Sequence, residues 1–171
     1  HGVCGLFWDG TLRTYDPREV TGEELMAMGA YQRWDFGPAL LDEYGQPKTS
    51  FNSTVGPKNP RTVLGYYEPG HYCIVAVDGR QEALSNGASW SDMAWILLEL
   101  GATDAVNLDG GGSTTYLSKP AGSDELQLVS SPSDGYARRV STSLVAVSTA
   151  APSNACAHAI RSSEYEYITA G

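Results

Sequence analysis

The sequence predicts an α+β domain, a mixed β-sheet with two or more helices packed on it. Three observations carry that reading. Apolar stretches of strand length at 62–67 and 72–77 are separated by Glu68-Pro69-Gly70, which is a hairpin signature. A helical pattern at about 89–100 lies between the second stretch and another short apolar run at 105–108, giving a strand–helix–strand unit over 72–108. Further short strands and turns flank that unit, which argues against a doubly wound parallel sheet. The 171 residues, 42% hydrophobic and 18% charged, suit one globular domain with a sizeable core. That domain is expected over residues 1–149, with 150–171 as a tail or linker where periodicity fades.

From the N-terminus, residues 3–15 read as two strands around a turn at Asp9-Gly10. Thr21-Gly22-Glu23-Glu24 is a capping box, so a short helix through Leu25 and Met26 should follow and stop at Gly29. Residues 36–41 read as a strand. Residues 42–60, rich in Gly, Pro, Lys, Asn and Ser, read as a long loop. In the main helix Ser89 or Ser91 is the N-cap. Ala94, Leu97 and Leu98 keep helical spacing, and Gly101 suits the position after the last turn. Residues 105–108 are apolar enough for a central strand, and 114–117 and 140–147 should complete the sheet.

Composition narrows the function classes. A net charge of −9 opposes binding to nucleic acid or to an anionic membrane surface. No apolar run reaches the roughly 18 residues of a membrane helix, so no direct membrane insertion is expected. The three cysteines, Cys4, Cys73 and Cys156, form no CxxC pair, and Cys73 sits in an apolar run as an inert buried thiol. No His/Cys cluster has zinc spacing, so no metal or cofactor is expected.

Three segments set polar residues where a strand meets a loop: Asn59-Pro60-Arg61-Thr62, Val77-Asp78-Gly79-Arg80, and Asn107 through Thr115. If their strands are neighbours, these groups converge at one edge of the sheet. Asn107 and Asp109 are two residues apart, so on a strand they face the same side while Leu108 faces the core. The run Gly110-Gly111-Gly112 can adopt positive φ, and its N–H groups could form an anion-binding nest, with Ser113 and Thr114 adding hydroxyls. By itself the same run also reads as an ordinary hairpin turn, and the arginines as solvated surface residues. It is neither a P-loop nor a dinucleotide fingerprint, because the required Gly-Lys-Ser/Thr and Gly-x-Gly-x-x-Gly spacings are missing. Ser113 lacks a Gly-x-Ser-x-Gly context, and none of the histidines is an evident base.

Taken in order, these segments resemble the phosphodiester glycosidase family. The likeness runs from Asn59-Pro60-Arg61-Thr62 through Val75-Ala76-Val77-Asp78-Gly79-Arg80 and Leu100-Gly101-Ala102. It continues through Asn107-Leu108-Asp109-Gly110-Gly111-Gly112-Ser113-Thr114-Thr115 and Pro132-Ser133-Asp134-Gly135 to Arg138-Arg139-Val140. Asp9-Gly10-Thr11, Tyr15-Asp16-Pro17 and Phe36-Gly37-Pro38 also look like bacterial members. Members usually carry an Asn-Gly and aromatic segment further upstream, and nothing before Val3 supplies it.

The resemblance implies hydrolysis of a sugar-1-phosphodiester to free sugar and phosphomonoester, on a sugar-phosphate or phosphoglycan substrate, in an extracellular or cell-envelope setting. It implies Asp109 as nucleophile or general base with Asp78 as its partner. Arg61, Thr62, Arg80, Asn107, Gly110, Gly111, Ser113, Thr114 and Arg138 are then the substrate-binding residues. Attack at the anomeric carbon and attack at phosphorus both remain open. The competing readings are a non-catalytic phosphoglycan or envelope-binding module on the same scaffold, and a metal-dependent phosphodiesterase.

Overall fold

The computed structural model describes residues 2–16, 18–51, 55–147 and 168–169. The expected domain boundary near 149/150, and most of the expected tail, lie outside them. The architecture is α+β in a single domain, built from three small sheets and two helices.

The first sheet has the order β2-β1-β3, from β1 (Val3–Phe7), β2 (Leu12–Tyr15) and β3 (Ala30–Trp34). The strands β1 and β2 pair antiparallel around the Asp9-Gly10 turn, as expected. Helix α1 (Gly22–Ala27) starts at the Thr21–Glu24 capping box and is followed by Gly29. Strand β3 was not anticipated, and it pairs with the outer side of β1.

The second sheet has the order β6-β4-β5-β9. It contains the hairpin of β4 (Arg61–Glu68) and β5 (His71–Val77), then β6 (Asp104–Asn107) beyond β4, and β9 (Ile168–Thr169) on the other side of β5. Helix α2 (Trp90–Glu99) links β5 to β6 and takes Ser89, not Ser91, as its N-cap, with Asp92 closing a second capping box. A third, two-stranded sheet pairs β7 (Leu117–Ser118) with β8 (Gln127–Leu128).

Period-2 alternation sorts the side chains into layers. On one face of the second sheet, Val63 and Ala105 pack under α2 with Met93, Ala94 and Leu97. On the other face, their neighbours Leu64 and Val106 meet Cys4 and Leu12 of the first sheet. Val3 and Phe7 face outward from β1 to Leu25 of α1. The sequence therefore folds as helix, sheet, sheet, helix. Each fully buried aliphatic side chain contributes about 1.5–3 kcal/mol. Gly65 marks where α2 presses closest, since a Cβ there would lie 2.6 Å from Leu97 Cδ1.

Four sequence expectations need correction. Residues 114–117 do not complete the main sheet: 114–116 form no strand, and β7 pairs with β8 in a sheet of its own. Strand β6 is at the end of its sheet and not at its centre. Its outer edge is covered by residues 38–41, where the Leu40 N–H donates to the Ala105 carbonyl and the Asn107 N–H to the Pro38 carbonyl. That same segment, expected as a full strand over 36–41, makes only isolated bridges through Ala39 and Leu41. Residues 140–147 form no strand: Leu144 packs into the inter-sheet cluster, while Val140, Val145 and Val147 are exposed.

A candidate site at one end of the second sheet

The β4–β5 register pairs Arg61 with Val77, and the β4–β6 register pairs Val63 with Asn107. The start of β4 and the ends of β5 and β6 therefore lie side by side. All three polar segments emerge at this end of the sheet, as their sequence positions suggested. Backbone hydrogen bonds knit them together: the Leu108 N–H donates to the Thr62 carbonyl (2.8 Å) and the Gly111 N–H to the Pro60 carbonyl (2.9 Å).

The glycine run forms one turn of 3₁₀ helix over Gly111–Ser113. Each glycine is needed for its own reason. A Cβ on Gly110 would lie 2.7 Å from the Pro60 carbonyl oxygen, Gly111 has φ +59°, and a Cβ on Gly112 would lie 2.1 Å from Arg138 Nη2. The expected nest of backbone N–H groups is not how the turn is built. Gly110 donates to its neighbour Asp109, Gly111 to Pro60, Ser113 to Gly110 and Thr114 to Gly111. These four donors are spent within the fold, and side chains bring further positive charge to the turn.

Two arginines supply it. Arg80 is the one non-glycine residue with positive φ (58°) among the described residues. That costly backbone conformation lays its guanidinium against Gly111, held by Nε and Nη2 donating to Asn59 Oδ1 at 3.1 and 3.0 Å. Arg138 reaches the next glycine from a distant loop and is ion-paired with Asp134 (2.6 Å). Its pKa is raised, first by the hydrogen bond to Asp134 and last by the nearby charge of Asp109. Asp109 is exposed, and among the described residues its Oδ1 accepts from the Gly110 N–H (2.9 Å).

The remaining residues have different surroundings. Arg61 is 4% exposed and lies beneath the surface. Its Nε donates to the Ala88 carbonyl (2.9 Å) and its Nη2 to those of Val55 and Pro57, while the guanidinium lies 5.3 Å from the Trp90 ring centroid. Burial, and then the charge of Arg80, lowers its pKa. Trp90 is therefore a core residue, whereas Trp95 is exposed. Thr62 donates through Oγ1 to Thr114 Oγ1 (3.3 Å). Ser113 is half-buried within the turn.

Asn107 does not share a face with Asp109, because β6 ends at Asn107 and the chain then bends. Its amide is buried and donates to the Gly37 and Leu108 carbonyls, and its Oδ1 has no partner. Asp78 is occupied, with both carboxylate oxygens accepting from the Ser131 N–H at 2.9 Å.

Sequence reasoning left Asn59, Gln81, Ser131 and Asp134 out of the site. The spacing of Asp134 and Arg138 was the available clue. Among the described residues, no group of three or more His, Cys, Asp and Glu is placed to hold a metal ion. A groove of about 980 Å³ between α1 and β3 lies away from these residues.

The chain is similar to several known proteins. A 115-residue stretch is 36% identical to the SPbeta prophage-derived uncharacterized protein YomE of Bacillus subtilis, covering 66% of this chain and 18% of that protein. A 75-residue stretch is 37% identical to bovine N-acetylglucosamine-1-phosphodiester alpha-N-acetylglucosaminidase, covering 44% of this chain and 14% of that one. Among solved structures, the zebrafish N-acetylglucosamine-1-phosphodiester alpha-N-acetylglucosaminidase catalytic domain, auto-inhibited by its pro-peptide, aligns with a TM-score of 0.55 at 26% identity. That alignment covers 78% of this chain and 45% of the zebrafish chain. The chain thus spans less than a fifth of the length of these curated relatives. With the three strand-end segments assembled around one glycine turn, and with the phosphodiester glycosidase family model matching residues 7–147, the chain belongs to the phosphodiester glycosidase family.

Proposed function

We propose that this domain hydrolyses a sugar-1-phosphodiester at the glycine turn, releasing the sugar and leaving a phosphomonoester. The observation that carries the reading is the meeting of two guanidiniums from separate segments, Arg80 on Gly111 and Arg138 on Gly112, beside the exposed carboxylate of Asp109. A phosphodiester brings one negative charge, and its leaving group gains charge as the bond breaks. Paired arginines bind the first through charge-assisted hydrogen bonds and stabilise the second.

In this reading Asp109 acts as nucleophile at the anomeric carbon or as general base for water. Ser113 and Thr62 line the substrate's polar face, Thr114, which is buried, holds the Thr62 hydroxyl from behind, Asn107 supports the turn from below, and Arg61 fixes the loop beneath it. The named activity of the bovine relative on an N-acetylglucosamine phosphodiester supports a sugar-phosphate or phosphoglycan substrate. The setting proposed for that substrate is outside the cell or in its envelope.

The test is incubation with a sugar-1-phosphodiester and, separately, a nucleotide phosphodiester, each with and without chelator. Chelator-insensitive release of free sugar and phosphomonoester supports the reading. Binding without turnover would point instead to a phosphoglycan-binding module. Chelator-sensitive cleavage of the nucleotide would point to a metal-dependent phosphodiesterase.

A further inference from the structure

We propose that Asp78 and Gln81 are positioning residues: a clamp that holds the loop carrying Asp134 and Arg138 over the glycine turn. This rests on the reading of that turn as the reacting site. Asp78 spends both carboxylate oxygens on a single backbone N–H, that of Ser131. Gln81 grips the same residue twice, its Nε2 donating to the Ser131 carbonyl (2.7 Å) and its Oε1 accepting from Ser131 Oγ (2.9 Å). Three polar groups of Ser131 are therefore taken by two side chains.

The base of the clamp is itself stiff. The backbones of Gln81 and Ser85 are hydrogen-bonded in both directions, and Ser85 Oγ donates to the Asp78 carbonyl (2.6 Å). One residue earlier in the loop, Ser130 Oγ accepts from the Tyr116 N–H (2.8 Å). Beyond Ser131 the chain turns at Pro132–Gly135, and no hydrogen bond joins residues 132–138 to the rest of the described residues. The clamp is thus the last polar tie before the ion pair on Gly112. Both oxygens of Asp78 turn toward the Ser131 N–H, which aims the carboxylate at the loop.

The experiment compares Gln81→Ala, Asp78→Ala and Asp78→Asn in the full chain by two readouts. The first is the set of nuclear magnetic resonance signals of the Gly112 amide and the Arg138 guanidinium, with Val63 and Ala105 as core references. The second is kcat/KM for a sugar-1-phosphodiester across pH. Gln81→Ala and Asp78→Ala should move the Gly112 and Arg138 signals, leave the core signals in place, and lower kcat/KM about tenfold or more, as loss of positioning does.

Asp78→Asn keeps one acceptor for the Ser131 N–H, so it should fall closer to the wild type with the shape of the pH profile unchanged. If Gln81→Ala leaves the Gly112 and Arg138 signals unmoved, there is no clamp. If Asp78→Asn is as inactive as Asp78→Ala, or loses a limb of the pH profile, Asp78 is a reacting carboxylate and the proposal is wrong. Should Asp78→Ala fail to fold, Gln81→Ala and Asp78→Asn decide the matter. If the variants move the signals as described but the wild type never hydrolyses the diester, the functional reading is refuted and the clamp stands.

Discussion

Replacing Gly112 with alanine adds one methyl group at the centre of the site. Its Cβ would lie 2.1 Å from Arg138 Nη2 and 2.6 Å from Asp134 Oδ2. Ordinary contact needs about 3.5 Å, so the guanidinium must retreat by about 1.4 Å. Both clashing groups are ends of flexible side chains, and Gly112 has no positive φ, so the backbone can stay where it is. The fold should survive with Tm within a few degrees of the wild type, because an exposed ion pair adds little stability. Activity should not survive as well: a misplacement of ~1 Å at a reacting centre costs about a hundredfold. The assay is kcat/KM for a sugar-1-phosphodiester beside a thermal melt. Gly110→Ala is the contrasting variant, since its Cβ meets the Pro60 backbone oxygen at 2.7 Å and should lower both Tm and activity. If Gly112→Ala keeps kcat/KM within about twofold of the wild type at unchanged Tm, the Arg138–Asp134 pair has no part in the reaction, and the reasoning from charge at the turn is refuted.

Other perturbations test the scaffold. Arg61→Ala leaves the carbonyls of Ala88, Val55 and Pro57 without their charged donor, so denaturant unfolding should show a loss of about 3 kcal/mol or more; unchanged stability would make Arg61 a surface ligand after all. Asp104 is half-buried between the two main sheets, where it accepts from Thr14 and Ala105. Burial raises its pKa above the unfolded value, so its stabilising contribution is whole at acid pH and declines as pH rises through the raised pKa. The stability advantage of the wild type over Asp104→Asn should therefore shrink from acid to neutral pH, and an advantage that grows would contradict it.

Local chemistry made much of the fold legible. Thr21 with Glu24 and Ser89 with Asp92 cap helices because a hydroxyl and a carboxylate three residues apart close on each other without help from the rest of the chain. The convergence of the three polar segments was readable because a hairpin and a strand–helix–strand unit leave few ways to arrange three strands. What failed depended on partners distant in sequence. Strand β3, Ala-Tyr-Gln-Arg-Trp, is largely exposed and becomes a strand only because the edge of β1 is open to it. Residues 140–147 alternate like a strand, but alternation says which way side chains face and not whether the backbone finds a partner. The apolar run of β6 looked central because residues 38–41, and no regular strand, cover its edge.

The site divided along the same line. The strand-end pattern placed Arg80, Asp109 and the glycines together, the family resemblance added Arg138, and the structure brings them to one turn. It could not show that Arg61 lies under the loop or that Asp78 is occupied by Ser131, since both facts depend on carbonyls and amides at remote positions. Four of the backbone N–H groups expected to bind an anion, those of Gly110, Gly111, Ser113 and Thr114, are used by the fold's own hydrogen bonds, which no side-chain pattern reveals.

Asp109→Asn tests the central claim most directly. Asp109 is exposed, and its recorded hydrogen bond is from its neighbour Gly110, so the variant should melt with the wild type. With a sugar-1-phosphodiester as substrate, the wild type should release free sugar, and Asp109→Asn should lose about a hundredfold to ten-thousandfold in kcat/KM, the range for removal of a reacting acid or base. Near-normal turnover by Asp109→Asn would contradict the account.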